Sequence, residues 1–305
     1  MRDLFNADIP EVFIDKPIRL IELFGGYGSQ SMALERMGAD FEPYFLCEFD
    51  EPAVRSYNAV HGTNFKPLDI RDVHGEDLKI CDADKYFYLL TYSFPCTDLS
   101  VAGKMAGMAK GSGTRSGLLW EVERILRELN ESGTELPQCL FMENVPQVIS
   151  EQNVGDFNSW RAFLQKLGYT SYLEILNAKD YGVAQNRERA FMLSFLGEVY
   201  YEFPKPIPLE KRLVDYLEED VDEKYYLKSE KAKRLIDDLI ERGELDCKKK
   251  REMIMGGYTI CVDGTVNNPS RREVANCIKA RYDCGISNLR SDRTLVVENA
   301  DSMQV

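Results

Sequence analysis

Two short runs carry the residues best suited to covalent chemistry. Cys96 lies in Ser93-Phe94-Pro95-Cys96-Thr97-Asp98-Leu99-Ser100, and Glu143 in Phe141-Met142-Glu143-Asn144-Val145. A cysteine attacks carbon when it is ionised, and a carboxylate at a buried strand end can hold or donate a proton, so the two read as a nucleophile and its acid. A cysteine protease would need a histidine base. The chain has only His61 and His74, and neither stands in a fitting motif. Gln185-Asn186-Arg187-Glu188-Arg189 adds Arg187 and Arg189, which an extended chain puts on one side, where they could clamp a phosphate or a carbonyl oxygen.

A second constellation suggests a cofactor. Phe24-Gly25-Gly26-Tyr27-Gly28 reads as a turn between a strand and a helix, where glycines let the backbone bend sharply and a ligand approach the helix N-terminus. Glu48 closes the next strand and is placed to accept hydrogen bonds from ribose hydroxyls. The third glycine of a dinucleotide turn is replaced by Ser31. An adenosine cofactor without a pyrophosphate fits that departure.

These residues need a scaffold that delivers them to one edge. Short apolar runs alternate with helical stretches from Ile18 to about Leu196, the pattern of βαβ units and of an α/β, doubly wound, mostly parallel sheet. Ile18–Phe24 and Tyr44–Phe49 read as the first two strands, and Phe87–Leu90 and Cys139–Met142 as buried parallel strands that end just before Cys96 and Glu143. Helices are expected over Ser29–Met37, Leu118–Asn130 and Ser229–Arg242, and a late strand over Ala190–Leu196. The prolines at 204, 206 and 208 cannot sit inside a packed sheet, which places a domain boundary there: 1–203 catalytic, 204–305 smaller, with a β-like region from Gly256 to Val297. Between Val101 and Gly117 lie glycines 103, 107, 111, 113 and 117 and few apolar residues, so a mobile lid over the active site is expected.

At 305 residues and 44% hydrophobic content the chain can build a large domain and a smaller one. No apolar run reaches the roughly 18 residues of a membrane span, and Met1 to Glu11 lacks a signal-like core, so a cytoplasmic protein is expected. The eight cysteines are scattered, no CxxC pair exists, and free thiols without a structural zinc or other metal site are the expectation. A net charge of −13 argues against a broad basic face, leaving a local groove built from Lys104, Lys110 and Arg115, from Arg187 and Arg189, and from Arg271 and Arg272.

The ordered set FGGYG (24–28), Glu48, LDI (68–70), PCTDLS (95–100), MENV (142–145), LNAKDYG (176–182) and QNRER (185–189) resembles the DNA cytosine-5 methyltransferase family. The resemblance implies a Rossmann-like S-adenosylmethionine-dependent fold with a target-recognition domain, and double-stranded DNA as partner. It implies cofactor contacts from Phe24, Gly25, Gly26, Tyr27, Gly28, Glu48, Phe49, Ser93, Pro95 and Leu118, with Asp69 and Ile70 at the adenine, and S-adenosylhomocysteine as product. Cys96 would add to C6 of a flipped cytosine, Glu143 would bond the ring N3 and amine, and Arg189 would hold O2 with support from Arg187. DNA contacts are implied for Ser100, Lys104, Lys110, Arg115, Ser116, Gln185, Arg271 and Arg272.

The chain also departs from that pattern. Thr97 and Leu99 replace the glutamine and phenylalanine common after the family's Pro-Cys pair. The LTPRE-like and GN-type blocks that usually close the family's chain are absent, so 204–305 reads as a partial target-recognition domain. A second polypeptide supplying those blocks is one expectation, and the C-terminal style resembles enzymes of phages and prophages. One branch of the family takes transfer RNA, but its CFT-type signature is missing here. Intact Cys96, Glu143 and Arg189 argue against a catalytically silent remnant.

Overall fold

The computed structural model describes residues 10–96, 99, 107–216, 230–243, 260–263, 270–272, 275–276, 294–299 and 302–304. Ser100 and Lys104 lie outside them, and Arg271 and Arg272 are described in backbone only. The chain divides into two compact units, Met1–Leu176 with Arg189–Pro204, and Asn177–Glu188 with Lys205–Val305.

The first unit is built on β1 (Ile18–Leu23), α1 (Ser29–Arg36), β2 (Phe41–Cys47), α2 (Glu51–His61), β3 (Phe87–Tyr92), α3 (Leu119–Glu131), β4 (Cys139–Asn144), α4 (Val154–Lys166) and β5 (Tyr169–Asn177). After β6 (Gln185–Asn186), which belongs to the second unit, β7 (Glu188–Leu196) completes the main sheet. The sheet runs in the order β2-β1-β3-β4-β7-β5; β2, β1, β3 and β4 are parallel and β7 is antiparallel to β4. All of β1 except Arg19 is buried, as expected for a strand covered on both faces. In α3, Leu119, Val122, Ile125, Leu126 and Leu129 recur at helical spacing and are buried. On α4 the indole N–H of Trp160 donates to the Tyr92 hydroxyl at 3.1 Å, tying that helix to β3.

Strand order and register decide where a site forms. The chain steps from β1 to one side for β2 and to the other for β3, which opens a crevice at the carboxyl ends of the strands. Leu23 pairs with Cys47 and with Tyr92, and Tyr92 with Met142. Phe24, Glu48, Ser93 and Glu143 therefore leave, or reach the end of, neighbouring strands along one edge.

In the second unit, α5 (Glu230–Glu241) is followed by β8 (Ile260–Asp263), β9 (Ser270–Arg272), β10 (Ala275–Asn276), β11 (Thr294–Asn299) and β12 (Ser302–Gln304). A four-stranded sheet has the order β12-β11-β8-β9, and β10 pairs in parallel with β6. Gln185, a predicted DNA contact, is thus a strand residue opposite Ala275.

Expected and observed boundaries differ by small amounts. Glu48 and Phe49 fall just past β2 instead of inside it, which frees their side chains from the alternation of a strand. The stretch expected to form a lid is described from Gly107 onward. In its described part, Met108 is fully buried, its carbonyl accepts the Trp120 indole N–H at 2.7 Å, and the Thr114 hydroxyl donates to the Gly107 carbonyl at 3.1 Å. One apolar side chain and these bonds anchor 107–117 on the core; the remainder, 101–106, lies outside the described residues.

Candidate active site

A cavity of about 460 Å³ lies at the crevice, lined by Phe24, Cys47, Glu48, Phe49, Leu68, Asp69, Ile70, Arg71, Ser93, Pro95, Gly113, Thr114, Arg115 and Leu118. Its floor is set by the turn after β1. The Phe24 and Gly25 N–H groups both donate to the Cys47 carbonyl, at 2.7 and 3.4 Å, and Phe24 takes the left-handed region at φ 59°. Such a conformation in a bulky residue persists only when its surroundings impose it. A Cβ at Gly25 would stand 2.5 Å from Leu46 Cδ1, so a larger residue there would push that side chain aside.

The turn orients Glu48 as well. Gly26 N–H donates to Glu48 Oε2 at 3.0 Å, and Asp50 N–H to Oε1 at 2.9 Å, while Asp50 caps α2 by accepting from Ala53 N–H. An ionised carboxylate accepts about four hydrogen bonds, so acceptor capacity for two hydroxyls remains. Within the turn, Gly26 N–H is spent on Glu48 and Gly28 N–H on the Gly25 carbonyl at 2.9 Å. Gly25, Gly26, Tyr27 and Gly28 set the course of the chain between Phe24, which lines the cavity, and α1. Tyr27 directs its carbonyl to His61 Nε2 at 3.1 Å.

On the opposite wall Asp69 caps a short 3₁₀ turn over Ile70–Asp72. The Arg71 guanidinium bonded to it holds its carboxyl well below the usual range, at about 2. Acceptors at Glu48 and Asp69 and apolar surface from Phe24, Phe49, Ile70, Pro95 and Leu118 match a nucleoside. S-adenosylmethionine fits this donor and acceptor set.

Cys96 follows Pro95, a wall of the cavity, and is half-buried. Its approach is fixed from two sides. Asn144 Nδ2 donates to the Phe94 carbonyl at 3.0 Å, and the Ser116 hydroxyl to the Pro95 carbonyl at 2.7 Å. Ser116 is fully buried and holds the loop through this bond. Lys110 is likewise engaged. Its ammonium bonds both oxygens of the buried Glu123, at 2.8 and 2.9 Å, and Glu123 also pairs with Arg127.

Glu143 ends β4 opposite Phe191 of β7, and Arg189 Nε meets Glu143 Oε1 at 3.1 Å, with only 15% and 24% of the side chains exposed. The pairing places a carboxylate and a guanidinium at the strand edge from which the Cys96 loop also departs. Arg187 lies in the segment of the second unit, where its N–H donates to Asn177 Oδ1 at 3.1 Å and its carbonyl accepts from Ala178 N–H at 3.0 Å. Sequence reasoning missed Cys47, Leu68, Arg71, Gly113 and Thr114 as walls. Leu68 and Arg71 flank the Asp69-Ile70 pair and were open to inference, whereas Gly113 and Thr114 reach the cavity only through the fold of their loop. Among the described residues no group of acids, cysteines and histidines is arranged to hold a metal, and no helix is long and apolar enough to cross a membrane.

Comparison with known proteins agrees with this geometry. Type II methyltransferase M2.ScrFI of Lactococcus lactis subsp. cremoris is 34% identical over 260 residues, covering 70% of this chain and 71% of that protein. Orphan methyltransferase M.SssI of Spiroplasma monobiae is 34% identical over 261 residues, covering 68% and 67%. The fold resembles the crystal structure of S. pombe Dnmt2 methyltransferase, with a TM-score of 0.55 at 22% identity over 76% of this chain and 67% of that one. The family model for C-5 cytosine-specific DNA methylase matches residues 18–281. Since that match begins at the first residue of β1 and runs through most of the molecule, the chain belongs to the C-5 cytosine-specific DNA methylase family and is a methyltransferase.

Proposed function

We propose that the chain methylates C5 of a cytosine flipped out of double-stranded DNA, through a covalent adduct at Cys96. The observation that carries this reading is the common strand edge shared by the Cys96 loop, Glu143 and Arg189, beside a cavity suited to an adenosine. The Cys96 thiolate bonds to C6, and the electron pair of the C5–C6 double bond moves to C5. Glu143 hydrogen-bonds N3 and the exocyclic amine and stabilises the charge that develops across the ring. Arg189 holds O2 and, through its pairing with Glu143, keeps the two groups side by side. When bound, S-adenosylmethionine supplies the methyl carbon and leaves as S-adenosylhomocysteine. Loss of the C5 proton then lets the sulfur–C6 bond break, which restores the double bond and the free thiol.

Flipping costs a few kcal/mol, which phosphate contacts near the site offset. Arg115, on the cavity wall, is the basic residue best placed for this. Glu48 would hold the ribose hydroxyls and Asp69 the adenine amine. The test is incubation with 5-fluorocytosine DNA and S-adenosylmethionine, followed by denaturing electrophoresis. Fluorine at C5 prevents the final elimination, so a covalent adduct is expected, and Cys96→Ala should abolish it. No adduct with DNA overturns the reading; an adduct with RNA alone moves the substrate to RNA.

A further inference from the structure

Arg71 follows the adenine-facing pair Asp69 and Ile70 and lines the same cavity. Its guanidinium meets the Asp69 carboxylate as a fork. Nε donates to Oδ1 at 2.9 Å and Nη2 to Oδ2 at 2.5 Å, and the Arg71 backbone N–H adds a third bond to Oδ1 at 3.0 Å. A bidentate fork fixes the plane of a carboxylate as well as its charge. Of about four acceptor positions on the ionised group, three are used and one remains, on Oδ2. The turn that carries the pair is itself braced: Arg124 Nη2 donates to the carbonyls of Ile70 and Val73, at 3.1 and 2.8 Å.

One directed acceptor reads a ring edge more stringently than a carboxylate free to rotate, which would turn to meet donors from several directions. We propose that Arg71 is a positioning residue for nucleoside specificity, holding Asp69 so that the cavity selects a purine with an exocyclic amine over one with a carbonyl at that position. A carbonyl edge would bring lone pairs against the remaining lone pair of Oδ2, with no proton between them. The fork prevents the carboxylate from turning away. This inference rests on the reading of the cavity as the S-adenosylmethionine site.

Calorimetric titration of the full chain with S-adenosylhomocysteine and with S-inosylhomocysteine, its carbonyl counterpart, tests the inference. The wild type should prefer the adenosyl ligand by roughly a hundredfold, the worth of one acceptor left unpaired once a bound ligand covers it. Arg71→Ala should reduce that preference to about tenfold or less, and Arg71→Lys, which keeps the charge without the fork, should fall between. In an Asp69→Asn background, Arg71→Ala should change the preference no further. Equal weakening of both ligands in Arg71→Ala, with the preference intact, would show that Arg71 merely supports the pocket and would overturn the proposal. A wild-type chain that binds neither ligand overturns the reading of the cavity instead.

Discussion

Two successive carbonyls in front of Cys96 are held by side chains from elsewhere in the fold, Phe94 by Asn144 and Pro95 by Ser116. Ser116→Ala should cost about 1 kcal/mol of stability, because it strips a part-buried acceptor of its partner. Urea denaturation measures that cost, and the rate of adduct formation with 5-fluorocytosine DNA should fall while DNA affinity is retained. Reduced DNA affinity with an unchanged adduct rate would return Ser116 to the DNA interface. A second buried group faces no ligand. Glu22 is fully buried, Ser31 and Tyr57 donate to its Oε2 at 2.7 and 2.5 Å, and Oε1 has no partner among the described residues. Burial raises its carboxyl above the usual range. The stability it contributes is therefore complete below the ordinary carboxylate value and is lost as pH rises through the folded-state value. Glu22→Gln should flatten the pH dependence of thermal stability above the ordinary carboxylate range and gain most at the upper end. An unchanged pH profile in scanning calorimetry would show that Glu22 is ionised in the folded chain.

At the scale of elements, the turn from β1 to α1 is the tightest constraint. Gly28 has φ 85°, and a Cβ there would lie 2.3 Å from His61 Nε2 and 2.7 Å from Tyr57 Cε2. Gly28→Ala should destabilise by about 1–3 kcal/mol, through strain at positive φ and displacement of α2 side chains. A loss below half a kcal/mol on denaturation would mean that α2 moves freely. Glycine types at 25, 26 and 28 announced this turn from the sequence. Tyr57 and His61 did not announce themselves as its packing partners, because the contact depends on how α2 returns along the edge. The 101–117 stretch shows the opposite limit: glycine content suggested a lid, while a single buried Met108 anchors its described part.

For the molecule as a whole, a net charge of −13 requires that DNA be met locally. Lys110 bonds Glu123, and Arg115, on the cavity wall, is the residue to test against phosphate. Arg115→Ala should lower the slope of log affinity against log salt by about one, measured by fluorescence anisotropy over a range of salt. An unchanged slope would remove Arg115 from the phosphate contacts.

Residue types and their order along the chain were enough to determine the family and to propose a nucleophile, its acid and the nucleoside-binding acids, because each is a local motif bound to a strand end. Alternation of apolar runs with helical stretches determined the mostly parallel sheet for the same reason. Tertiary structure alone decided which motifs became neighbours. Strand register aligns Leu23, Cys47, Tyr92 and Met142, and antiparallel β7 brings Arg189 to Glu143. It also decided that Ser116 and Lys110 face protein groups and that Arg71 forks onto Asp69. Burial and pairing are set by residues distant in sequence, so the chemical character of a side chain is local while its partner is not.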